Sequence, residues 1–144
     1  MAVNYIPEGA QTVTPYLAVR GVASLIDFLK AAFDAKEVDR AVMPDGTIMN
    51  ATLAIGSSRL MMGDPRDQAA VPGMLYVYVP DVDAVYAKAI AAGATSLRTP
   101  ADMFYGDRCA AVQDASGNKW WIATHKEDVS PEEGRKRIAA LSGR

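Results

Sequence analysis

Phe104-Tyr105-Gly106-Asp107-Arg108 gathers more reactive and ligand-binding side chains than any other short stretch of this chain. A guanidinium grips a carboxylate or phosphate through two parallel hydrogen bonds, so Arg108 is a candidate ligand anchor, with Asp107 holding it in place. The plainer reading of the same pair is a surface ion pair ahead of a strand. Cys109, the only cysteine, has no flanking base or helix N-terminus to activate it, which points to a buried, inert thiol. His125, the only histidine, stands among Lys126, Glu127 and Asp128, the setting of a solvated ring. No nucleophile is paired with a base, and no two acids have catalytic spacing. The remaining candidates are aromatic or soft: Tyr16, Tyr76, Tyr78, Tyr105, Trp121, Met61 and Met74. Flat organic molecules stack on such walls, and methionine adapts to irregular shapes. The same residues also fill cores, and for the two methionines both readings stand open.

These side chains need elements to aim them. Thr12 to Val19 reads as a strand, with Thr14 and Tyr16 on one face and Val13, Leu17 and Val19 on the other. Leu25, Phe28, Leu29 and Ala32 follow at the spacing of a buried helical stripe. Strands are expected near 37–43, 47–55 and 58–63, with Pro44-Asp45-Gly46 and Gly56-Ser57 as turns. Asn50 and Thr52 share one face. The polar stretch Asp64–Gly73 reads as a linker. The order then repeats: a strand at 74–79, a helix capped by Asp81 and ended by Gly93, and strands near 95–98, 108–113 and 119–124. In the strand at 74–79, Met74, Tyr76 and Tyr78 oppose Leu75, Val77 and Val79. In the last strand Trp121 opposes Trp120, which belongs under a helix. Ser130-Pro131-Glu132-Glu133 starts a final helix, with serine as N-cap and proline in the first turn.

Tyr16-Leu17-Ala18-Val19 aligns with Tyr76-Val77-Tyr78-Val79, and Phe33-Asp34-Ala35 with Ala92-Gly93-Ala94, at an offset of about 60 residues. A near-constant offset with elements in the same order means two copies of one βαβββ unit. The expected organisation is a single α+β domain over 1–144. Unit one covers about 12–64, the linker 65–73, unit two 74–125 and a C-terminal helix 131–141.

Two tandem βαβββ units, with segments such as TPYLAVRGVASLIDFLKAAFDAKEV and FYGDRCAAVQDASGNKWWIATHKEDVSPEE, resemble the vicinal oxygen chelate superfamily of glyoxalases, bleomycin resistance proteins and dioxygenases, in its PhnB-like branch. The resemblance implies curved mixed sheets whose concave faces join around a cavity. It also implies a divalent ion held there by His, Gln or Glu in metal-using members. The corresponding positions here are Thr14, Met61, Met74 and Trp121, none of which suits such an ion. The branch commonly shows His-Ala-Glu where this chain has Asn50-Ala51-Thr52, and a histidine where it has Asn118. The expectation is therefore a protein without metal or cofactor. Its ligand-binding residues would be Tyr16, Asn50, Thr52, Met61, Met74, Tyr76, Tyr78, Tyr105, Arg108 and Trp121.

The net charge of −2 argues against nucleic-acid partners and anionic membranes, and no apolar run is long enough to span a bilayer. The N-terminal stretch lacks the basic and apolar parts of a signal peptide, and a lone cysteine suits a reducing cytoplasm. The expected function is enclosure of an aromatic or otherwise flat organic ligand, as in drug-sequestering resistance proteins. The alternative is an enzyme of the same superfamily, a lyase, isomerase or dioxygenase-like catalyst. It would use unrecognised metal ligands or metal-free acid–base groups such as Asn50, a tyrosine and the Asp107/Arg108 pair. An association module with a protein partner is a third reading. A homodimer is expected by analogy with family members of this size.

Overall fold

A computed structural model describes residues 2–142. The first half runs β1 (Tyr16–Ala18), α1 (Val22–Phe33), β2 (Lys36–Val42), β3 (Ile48–Ile55) and β4 (Ser58–Gly63). The second runs β5 (Met74–Tyr78), α2 (Val82–Ala91), β6 (Thr95–Asp102), β7 (Asp107–Gln113) and β8 (Lys119–His125), followed by α3 (Pro131–Ser142). Each half forms a mixed four-stranded sheet with the same plan. The orders are β1-β4-β3-β2 and β5-β8-β7-β6, and the first strand of each half lies parallel to its last. The α+β duplication read from the sequence is therefore present strand for strand.

Alternation sorts the side chains as expected. Leu17, Val19, Leu53, Leu60 and Met62 are buried on the helix side of the first sheet, together with the α1 stripe Leu25, Phe28, Leu29 and Ala32. Val112, Trp120 and Ile122 are buried on the helix side of the second. The halves meet through α1 against α2, and the Phe33 ring lies 5.4 Å from that of Trp120. Asp81 caps α2 by accepting the Ala84 amide at 3.2 Å, and Ser130 caps α3 by accepting the Glu133 amide at 3.1 Å.

Two boundaries move. β1 spans only three residues, because Pro15 has no N–H to extend the ladder. Val13 consequently lies outside the strand and is 78% exposed, not packed under α1. β6 runs four residues past Arg98, through Pro100, with register breaks on either side of Arg98. β2 is likewise interrupted twice against β3.

The turn between β7 and β8 is a buried polar knot. The Asp114 carboxylate accepts from the Ser116 and Asn118 amides, from Asn118 Nδ2 and from Trp120 Nε1, the last at 2.8 Å. Asn118 Oδ1 accepts the Gly73 amide at 2.9 Å, which ties the linker to this turn. Asn118 is fully buried. The position where the PhnB-like branch commonly carries a histidine thus serves packing in this chain.

Candidate functional site

The candidate side chains lie on the sheet faces turned away from α1 and α2. In the first sheet Tyr16 pairs with Met61, Met61 pairs with Thr52, and Asn50 lies two residues from Thr52 on the same face. A β-carbon on Gly63 would strike the Tyr16 hydroxyl and the Met49 carbonyl, so only glycine lets the Tyr16 ring lie along β4.

The second sheet is organised in rows. Tyr76, Trp121, Ala111 and Arg98 are successive Cα partners across β5, β8, β7 and β6. The next row is Tyr78, Ala123, Cys109 and Ala101. Met74 precedes Tyr76 on this face. Large aromatic walls thus flank a floor of alanines and the buried Cys109. Burial pushes the Cys109 thiol up, outweighing the neighbouring tyrosines and Arg98, as expected for an inert thiol.

Asp107 closes one end of the face. It is 3% exposed, and its Oδ2 accepts from the Tyr76 hydroxyl at 2.8 Å and the Tyr78 hydroxyl at 3.1 Å. Its Oδ1 bonds His125 Nδ1 at 2.8 Å. Tyr105, from the β6–β7 turn, meets the Tyr76 hydroxyl at 3.0 Å. Burial pushes the Asp107 carboxyl up, but the bonds from His125, Tyr76 and Tyr78 outweigh it and hold the group below its usual value. Burial also raises the Tyr76 and Tyr78 phenols, which therefore act as donors rather than bases.

Three expectations change. Asp107 does not orient Arg108, because neighbouring residues of a strand point to opposite faces. Arg108 is on the helix side, where its guanidinium pairs with Asp83 at 2.9 Å and Asp102 at 3.3 Å, away from the aromatic face. His125 is half exposed but not free: Asp128 bonds its Nε2 at 2.8 Å and Asp107 its Nδ1. Finally, the outward faces do not enclose a cavity within this one chain, since Tyr78 and Met74 are 64% and 67% exposed there. The larger cleft, about 770 Å³, lies at the seam between the halves on the helix side, among Phe33, Leu60, Leu75, Val77, Val79 and Trp120. A second cavity, about 410 Å³, lies beside Asp107 and includes Gly106, Lys126 and Glu127. Arg98 is the residue that sequence reading missed: its guanidinium lies 5.7 Å from the centre of the Trp121 ring.

Bonds to Asp128 and then Asp107 raise the His125 pKa above its ordinary value. A raised imidazole stabilises the fold fully below its unfolded pKa of about 6.5, and that contribution disappears as pH climbs through the folded value. The melting temperature is expected to fall across that window and to lose this slope in His125→Gln. Equal slopes in both proteins, measured by thermal melts in steps of pH, would contradict the bonding seen here.

The residues at the family's metal positions do not fit an ion. Thr14 precedes β1, Met61 and Trp121 are half-buried, and Met74 is exposed. None offers imidazole, thiolate or carboxylate. Among the described residues no three His, Cys, Asp or Glu side chains converge as a metal ligand set.

A profile described as the Glyoxalase/Bleomycin resistance protein/Dioxygenase superfamily matches residues 10–122. An uncharacterized protein of Mycobacterium bovis is 33% identical over 145 aligned positions, covering 92% of this chain and 93% of that one. The structure of TioX from Micromonospora sp. ML1 superposes with a TM-score of 0.64 at 25% identity, covering 78% of this chain and 95% of TioX. The PhnB protein of Bacillus cereus shares the fold, with a TM-score of 0.65 at 20% identity, over 79% of this chain and 99% of that one.

Proposed function

The chain belongs to the glyoxalase/bleomycin resistance protein/dioxygenase superfamily, and from that premise we propose that it binds a flat organic molecule against the outer face of its second sheet. The observation that carries this reading is the row of Tyr76 and Trp121 beside the exposed Tyr78, over a floor of Ala123 and Cys109. Aromatic rings left half exposed above small residues form a stacking surface, and hydroxyls bonded to a buried carboxylate keep it rigid. The helix-side cleft is a weaker candidate, because its apolar walls continue the core at the seam between the halves.

The reading includes a homodimer, in which a second copy covers the two open faces and completes a cavity. It includes no metal and no cofactor, a cytoplasmic setting and sequestration of a drug-like compound as the biological role. No helix of the described residues is long and apolar enough to cross a membrane. One observation favours a second reading, metal-free acid–base catalysis: His125 is oriented by the buried Asp107 beside three phenols. Conversion of a bound compound, lost in His125→Gln, would favour that reading over binding alone.

The test joins assembly and binding. Sedimentation at tens of micromolar (on the order of the Kd of a micromolar binder) should give a dimer. Calorimetric screening of planar aromatic compounds should yield a ligand whose binding weakens by about 1–3 kcal/mol in Trp121→Ala, the usual worth of a stacked ring. A monomer, together with ligand affinity indifferent to Trp121, would sink the proposal.

A further inference from the structure

Arg98 starts two strands away from Trp121, about 10 Å across the sheet, yet its guanidinium lies over the indole at 5.7 Å from the ring centre. It reaches there because the intervening residue of that row is Ala111, whose side chain leaves the path open. Arg98 Nη1 also meets Met103 Sδ at 3.3 Å. The other arginines anchored near this region are neutralised: Arg108 by Asp83 and Asp102, and Arg137 by Glu127 and Glu133. Arg98 forms no ion pair among the described residues. It is held on an aromatic plane, with Nη1 on the Met103 sulfur and no carboxylate of the described residues on its guanidinium.

The negative charge nearest the aromatic row does not answer Arg98. Asp107 is already met by two phenols and an imidazole, with both oxygens taken. It also stands four residues along β7 from Ala111, the residue that pairs with Arg98. Lys119 adds a second positive charge on the same face, in the row that joins it to Met74 and Gln113. The face is thus aromatic and cationic at the Arg98 side, with the Asp107 carboxylate at the far end and already bonded to Tyr76, Tyr78 and His125.

We infer that this site selects planar aromatic anions, with the ligand's ring on Tyr76, Tyr78 and Trp121 and its carboxylate on the Arg98 guanidinium. The inference rests on the aromatic-face reading above and adds the charge of the ligand to it. A guanidinium pre-stacked on tryptophan loses little freedom when it binds, and its fork matches a carboxylate bidentately. The neutral amide of the same ring system lacks the charge and one acceptor oxygen.

The experiment compares 2-naphthoate with 2-naphthamide at neutral pH by titration calorimetry on the intact protein. Naphthoate should bind at least tenfold more tightly than naphthamide. That advantage should vanish in Arg98→Met, which keeps the apolar stem over Ala111, and should be partly retained in Arg98→Lys. Circular dichroism melts check that both variants fold, and the strand-edge position makes either substitution tolerable. Equal binding of naphthoate and naphthamide, or an advantage that survives in Arg98→Met, overturns the charge selection while leaving the aromatic face standing. Binding of neither compound overturns both readings together. Naphthoate binding that persists in Trp121→Ala but fails in Arg98→Met places the anion site elsewhere than on this stack, and overturns the inference as drawn.

Discussion

Trp120→Ala is expected to destabilise the protein by about 3–5 kcal/mol, the usual cost of truncating a packed core aromatic. Trp120 is fully buried, its ring contacts Phe33, and its Nε1 donates to Asp114. The truncation removes the contact that joins α1 of the first half to β8 of the second. Trp121 lies next to it in sequence but on the opposite face, half-buried beneath Arg98. Trp121→Ala should cost less than half as much, because the space it leaves opens to solvent rather than into a sealed core. Chemical denaturation of both variants decides the matter. If the two lose equal stability, the division between core face and outer aromatic face on β8 is wrong.

Asp114→Ala should be comparably severe, on the order of 3–5 kcal/mol, for a different reason. Little apolar contact is lost. Instead Trp120 Nε1 and Asn118 Nδ2 are left buried without an acceptor, and the turn loses two backbone bonds. Asn118 would then hold Gly73 less firmly, so the damage should spread to the linker. Hydrogen exchange should show faster exchange at the Gly73 amide as well as within the turn. Because Asp114 and Trp120 share a bond, the double variant should lose less than the sum of the singles, by about 0.5–3 kcal/mol. Strict additivity would mean that the bond contributes nothing to stability.

The parts of the fold legible in the sequence are those governed by local period. The buried stripe of α1, the opposition of Tyr16 to Leu17, and that of Trp120 to Trp121 all follow from spacing alone. The site was only partly legible. Asp107 and Arg108 looked like partners because they are adjacent, yet adjacency in a strand separates side chains. The same rule groups Asp107 with Cys109, and that signal was available. The meeting of Asp107 with His125 was not, since it depends on hairpin pairing between residues 18 apart. Arg98 escaped for another reason. It lies between two register breaks of β6, where alternation stops reporting which face a residue occupies.

Those breaks have a consequence of their own. Each βαβββ unit makes a sheet open at both ends, and duplicating the unit doubles the number of free edges. β2 and β6 stand at the outer limits of their sheets, each ready in principle to template another chain. Neither presents a regular edge. β2 carries Lys36, Glu37, Asp39 and Arg40 in an interrupted register, and β6 carries Arg98, Asp102 and Pro100, which donates no backbone bond. A fifth strand arriving at either edge would find charge where it needs apolar contact and a shifted ladder where it needs a straight one. In β6, the same irregular stretch that makes a poor template carries the arginine that lies over Trp121.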